Sequence, residues 1–411
     1  MKIKTRNLKK ALFGILGILI AILVLYPLLA CLAYPPEYVY RAVTWGKESV
    51  YDYQRLPGRP FLAGDSPFYF PEDLQEERVR AAFEVDPQID DLENFLVETR
   101  TQAFIVIQND HILYEKYFNG STRDTVVTSF SVAKSFTSAL IGVAIADGYI
   151  QNVDDPITNY LPELIIRDIR FSSITIRNLL MMSSGIHYFE DIPLLSDDGA
   201  KTYLFPDLRR LALEYTHIKN QPGEQFQYNN YHPLLLGMIL ERTTGVSVTE
   251  YLEKKIWQPL GMEFDGSWSL DSEESGFEKM ESGINGRAID FAKFGRLFLR
   301  NGKWEGTQLI PAEWVIESTR EDPAVDRSEY YSDLEVREPM DGYYKYMWWG
   351  LPRGYGAYDY SAFGNLGQFI YVSPLADLVI VRNGEKDGIH YDKWLQIFYQ
   401  FARAINRSPT P

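Results

Sequence analysis

The chain has 411 residues, 45% hydrophobic and 14% aromatic, enough to bury one large core or two modest ones. Its formal charge is −15, and since residues 1–10 alone carry +5, the remainder carries −20, which sets aside nucleic acid as a partner. Cys31 is the single cysteine and the five histidines lack metal-ligand spacing, so no disulfide, no metal and no other cofactor is expected.

Lys2, Lys4, Arg6, Lys9 and Lys10 precede residues 11–34, a stretch with no charged side chain. Its length and basic flank read as one transmembrane helix with a cytoplasmic stub, together residues 1–35, which places the rest of the chain outside the cytoplasm, periplasmic or at the cell surface. Leu28-Leu29-Ala30-Cys31 also resembles a lipoprotein cleavage box, so a lipid on Cys31 is the alternative anchor. Residues 36–95 are rich in Tyr, Pro, Asp and Glu and read as a spacer and N-terminal extension, docked through Trp45 and the pair Phe68 and Tyr69.

Residues 96–411 form the body. Apolar runs at 104–108 and 111–118 flank Asn109-Asp110 and predict a β-hairpin. A helix follows over 131–146, stopping near Asp147-Gly148, then a short helix within 174–185. Pro222-Gly223 marks a turn before Phe226-Gln-Tyr-Asn-Asn230, and an amphipathic helix over 234–244 is stopped by Gly245. Residues 249–320 read as further helices. A second hairpin pairs 368–373 with 377–382, and a stripe of Trp394, Leu395, Phe398, Phe401, Ala402 and Ile405 predicts a last helix docked on a sheet. The fold class is therefore α/β (α+β): an antiparallel sheet from both chain ends, flanked by helices, with an inserted mainly helical subdomain and a cleft between the two.

The chemistry concentrates at Ser131-Val-Ala-Lys134. Residues at i and i+3 share a helix face, so hydroxyl and amine point the same way. The apolar stretch 136–145 buries this helix, and a desolvated lysine favours its neutral, proton-accepting form. A serine at the helix head also lies near free backbone N–H groups. Ser-x-x-Lys alone is equally compatible with an N-cap serine and a solvated lysine. His187 and Tyr188 are candidate cleft residues, and Arg287 is a candidate cation or a surface ion-pair partner. No Gly-x-Ser-x-Gly occurs, which removes the α/β-hydrolase reading.

With Tyr228-x-Asn230 placed 97 residues after Ser131, the chain resembles the serine β-lactamase and penicillin-binding superfamily, in its class C β-lactamase-like branch. Asp154-Asp155-Pro156, Tyr160-Leu-Pro-Glu163 and Pro259-Leu-Gly-Met262 support the resemblance. Where that branch carries Lys-Thr-Gly or His-x-Gly, the equivalent here is Asn365-Leu366-Gly367, closer to the esterase and 6-aminohexanoate-oligomer hydrolase subset. The resemblance implies Ser131 as nucleophile and Lys134 with Tyr228 as the base/acid pair, either one being the base. It implies that Asn230 orients Lys134 and the substrate carbonyl. Gly367 would permit close backbone approach, with the Ser131 and Gln368 N–H groups as the oxyanion hole. Asn365 leaves no cation for a substrate carboxylate. The implied function is a membrane-anchored serine hydrolase acting on a small-molecule ester or amide or a short peptide. The alternatives are a β-lactamase or D,D-carboxypeptidase, or a non-catalytic peptidoglycan-binding protein.

Overall fold

The apolar segments near the two ends of the chain pair with one another. In the computed structural model, which describes residues 25–190, 195–322 and 342–406, seven strands make one antiparallel sheet. They are β1 (Thr101–Gln108), β2 (His111–Tyr117), β3 (Tyr343–Lys345), β4 (Trp348–Gly354), β5 (Ala357–Gly364), β6 (Gln368–Ser373) and β7 (Leu378–Gly384). Across the sheet they run β2-β1-β7-β6-β5-β4-β3. Asn109 and Asp110 both have positive φ, 52° and 63°, as the two-residue turn of the first hairpin requires. Pro374–Ala376 and Asp377, φ 48°, close the second.

Both faces of this sheet are buried. Ile105, Ile107, Ile370, Val372, Val379 and Val381 face one core; Phe104, Val106, Phe369, Tyr371, Leu378 and Ile380 face another. This period of two sorts one apolar run into two layers. Against the first face lie α1 (Val132–Ala146) and α3 (Ala288–Leu299), whose Phe136 and Phe294 stack at 3.6 Å. Against the second lies α4 (Tyr391–Ala404), through Trp394, Phe398 and Phe401. The amphipathic α2 (Tyr231–Thr244) packs on α1 in the inserted region and ends at Gly245, φ 73°. Pro233 sits in its first turn, where the missing N–H costs nothing, so the helix begins three residues before its expected start.

The segment expected as spacer and extension is built into the body. Gly58–Phe61 pairs with Gly266–Ser269 in a four-stranded second sheet, completed by Ile284–Gly286 and Val127–Thr128. The helices Glu76–Phe83 and Leu92–Glu98 join α4 on the outer face, with Phe83 stacked on Phe401 at 4.0 Å. Trp45 is half-buried beside Arg41 and Phe68 packs on Trp304, whereas Tyr69 is exposed.

Two expectations need correction. Residues 249–320 are not all helical, because short strands at Gly266–Ser269, Ile284–Gly286, Lys303–Trp304 and Thr307–Gln308 interrupt them. Strands of two to four residues are too short to print a period of two. The transmembrane expectation falls mostly on residues 1–24, which lie outside the described residues. Among the described residues no helix is long and apolar enough to cross a membrane.

Candidate active site

Helix α1 starts from a constrained corner. Phe130, buried, takes φ 41°, a left-handed backbone that costs energy in a non-glycine residue and swings the chain into the helix at Ser131. From Val132 to Ala144 every residue of α1 is buried. Lys134, one turn in, is 1% exposed. Its Nζ donates to Ser131 Oγ at 2.8 Å and to the Glu281 carbonyl at 3.0 Å. Loss of water pushes this amine down to about 7, although the charges of Glu281 and Glu190 act the other way. His232, behind it, is pushed down to about 3 by burial and by Lys134, and so stays neutral.

Tyr228 comes from the loop before α2 and reaches the same point. The Lys134 ammonium position lies 4.9 Å from its ring centre. Trp349 stacks on the ring at 6.0 Å and Tyr344 meets it edge-on at 6.0 Å. Burial raises the phenol above its ordinary value, and the hydrogen bond with Ser131 partly offsets this. The structure thus brings Ser131, Lys134 and Tyr228 together from segments 97 residues apart.

Asn230 is at the site but oriented differently from the expectation. Its Nδ2 donates to the Tyr188 hydroxyl at 2.8 Å and to Thr202 Oγ1 at 3.3 Å, and the Glu281 carbonyl takes the place beside Lys134. Tyr188 lines the cleft; His187 turns to His217, ring centres 4.8 Å apart. Arg287 does not line the cleft; it donates to the carbonyls of Asp124 and Asp265, and the Thr122 hydroxyl, helped by the Arg287 charge, holds the Asp124 carboxyl below its ordinary value.

The third motif is shifted by three residues. A Cβ at Gly364, the end of β5, would stand 2.5 Å from the Ser129 carbonyl oxygen and 2.7 Å from the Ser131 nitrogen. Gly364, not Gly367, is therefore the glycine whose backbone lies against the nucleophile. Gly367 packs on Arg382 and Lys386 instead. Gln368 pairs with Gly364 across β5 and β6 and does not line the cleft; its buried side chain donates to the Asn365, Leu366 and Gly384 carbonyls. Asn365 stands at the cleft, where its Nδ2 donates to Glu48 Oε2 at 2.6 Å.

These side chains open into a cleft of about 1780 Å³. Its walls include Lys47, Glu48 and Tyr51 of the extension as well as Tyr203, Glu190 and Trp349. No sequence signal marked the extension or Glu281 as part of the site. Among the described residues no three His, Cys, Asp or Glu side chains gather as metal ligands would.

A hydroxyl bonded to a water-poor amine, open on one side to a large cleft, is the chemistry of a serine hydrolase. A family model described as Beta-lactamase matches residues 89–390, and the chain belongs to that family, among the serine hydrolases of the β-lactamase and penicillin-binding superfamily. The 6-aminohexanoate-dimer hydrolase of Paenarthrobacter ureafaciens is 29% identical over 316 residues, 72% of this chain and 75% of that protein. Solved structures share the fold. A candidate 6-aminohexanoate-dimer hydrolase from Bacillus anthracis superposes with a TM-score of 0.74 at 23% identity, over 92% of this chain and 96% of that one. A class C β-lactamase in complex with cefoxitin gives 0.57 at 16% identity, over 80% and 100%.

The crowding at Gly364 yields a prediction. Gly364→Ala should lower kcat/KM for a p-nitrophenyl ester by roughly a hundredfold, because a displaced backbone misplaces the reacting hydroxyl. Steady-state kinetics on the purified variant check this.

Proposed function

We propose that the protein hydrolyses an ester or amide through an acyl-enzyme on Ser131. The observation that carries this reading is the 2.8 Å bond between Ser131 Oγ and a buried Lys134 whose amine is pushed down to about 7. Neutral Lys134 takes the Ser131 proton as Oγ attacks the carbonyl. The oxyanion is held by the Ser131 N–H and the backbone at the Gly364–Asn365 strand end. Tyr228, kept protonated by its raised pKa, gives its proton to the leaving group and recovers one from the Lys134 ammonium. Water then cleaves the acyl-enzyme as the same groups return a proton to Ser131. The relative that hydrolyses 6-aminohexanoate dimer supports an amide among the substrates.

We also propose that the chain is tethered to a membrane by its N-terminal segment. The basic residues at 2–10, the uncharged run at 11–34 and the exposed Leu25, Leu28, Leu29 and Leu32 support this. The protein should then stay in carbonate-washed membranes; release into the wash would count against the tether.

A fluorophosphonate probe tests the nucleophile: the wild type should be labelled and Ser131→Ala should not. An unlabelled, folded wild type would contradict the mechanism. The pH dependence follows from the lysine. Only its neutral form accepts a proton, so kcat/KM should rise with pH through about 7 and level off above it. A flat profile from pH 5 to 9 would remove Lys134 from the role of base.

A further inference from the structure

The carbonyl that holds Lys134 belongs to a residue whose side chain is itself clamped. Lys279, Glu281 and Ser282 lie on a turn closed by the Lys279 carbonyl, which accepts from the Ser282 and Gly283 N–H groups and from Trp268 Nε1. Ser129 Oγ donates to the Ser282 carbonyl and accepts from the Ile284 N–H, so the turn is fastened two residues before the nucleophile. Lys279 Nζ pairs with Glu281 Oε1 at 2.7 Å, and the two side chains are only 2% and 3% exposed. Ser282 Oγ donates to the same oxygen at 2.8 Å. Lys279 also donates to the Tyr203 carbonyl at 2.7 Å, which anchors the pair on the helix Asp198–Leu204 of the inserted region.

A buried ion pair is costly to assemble, and apolar residues of the same size would brace a turn as well. The place of this one gives it a second effect. Glu281 lines the cleft, and its Oε2 is buried with no hydrogen-bond partner among the described residues. Attack by Ser131 turns the Lys134 amine into an ammonium away from water. Facing that ammonium are Ser131 Oγ, the Tyr228 ring, neutral His232 and the Glu281 carbonyl. The charges of Glu281 and Glu190 favour it. Glu190 is engaged by the Tyr188 hydroxyl, whereas Glu281 is the carboxylate whose own carbonyl touches Nζ. Lys279 holds that carboxylate and tempers it. The Lys279 amine also stands 4.7 Å from the Tyr203 ring centre and its charge reaches Glu48.

We propose that Glu281, clamped by Lys279, is a positioning residue for the reaction. Its carbonyl aims the Lys134 amine at Ser131, and its carboxylate is the counter-charge for the ammonium formed during attack. The proposal rests on the serine-hydrolase reading and adds to it the pair that tunes the base.

The test is the rate at which a fluorophosphonate labels the full-length protein between pH 5 and 9. In wild type the rate should rise with a midpoint of about 7. Glu281→Gln removes the counter-charge and leaves Lys279 near the amine, so the midpoint should fall by about one pH unit. Lys279→Met leaves the Glu281 charge untempered and should raise the midpoint by a similar amount. The double variant leaves neither charge unpaired and should restore the wild-type midpoint. A merely structural pair would lower the rate at every pH, or admit water and raise the midpoint in all three variants. Midpoints that do not diverge between the two single variants overturn the proposal. Should Glu281→Gln fail to fold, the double variant decides, and a midpoint above the wild-type value contradicts the pair's role. A folded wild type that resists the fluorophosphonate ends the serine-hydrolase reading; a labelled wild type whose variants keep its midpoint sinks the proposal alone.

Discussion

The structure depends on keeping one amine out of water. Lys134 lies a turn inside a helix buried on every side, where the charged form of an amine is costly and the neutral form is favoured. An unfolded lysine would hold its proton up to about 10.5, so between about pH 7 and that value the unfolded chain binds one proton more. Through this group alone, stability is lowest below pH 7 and rises towards alkaline pH. The surrounding apolar core offsets that cost, and the reward is a base at neutral pH bonded to the hydroxyl it must deprotonate. The left-handed Phe130 and the bare backbone at Gly364 are further local costs accepted at the same spot.

The seven-stranded sheet fixes where these costs are met. Its central strands are filled on both faces, so β5 and β6 cannot slide by a residue without moving every side chain to the wrong layer. That rigidity holds Gly364 against Ser131. Tyr228 arrives from the inserted region, steadied by Trp349 and Tyr344 of the sheet. The cleft is the seam between sheet and insertion, and the N-terminal extension closes one side of it. An extension that pairs with the second sheet through Gly58–Phe61 is a fixed wall.

Much of this was legible in the sequence because local chemistry and global position agree. Asn109-Asp110 between apolar runs, Gly148 and Gly245 past their helices, and Ser131 with Lys134 on an apolar helix each need only a few neighbouring residues to be read. The strands β3 to β5 were hidden because Gly350, Pro352 and Gly354 break the alternation within β4. For the third motif the sequence offers two glycines three apart, and only the approach of Gly364 to the Ser131 nitrogen chooses between them. The resemblance pairs Asn230 with Lys134, whereas its amide donates to Tyr188, 42 residues away. Glu48 and Glu281 carry no local signal at all. They act through a hydrogen bond across 317 residues and a backbone carbonyl across 147, distances at which spacing says nothing.

The central claim is about the ionisation of one side chain, and it can be measured there. Nζ of Lys134, assigned in a 15N-lysine-labelled sample by comparison with Lys134→Arg, should titrate near pH 7. A Lys134 signal that remains that of an ammonium up to pH 10 would contradict the account, since the amine beside Ser131 would then have no capacity to take its proton.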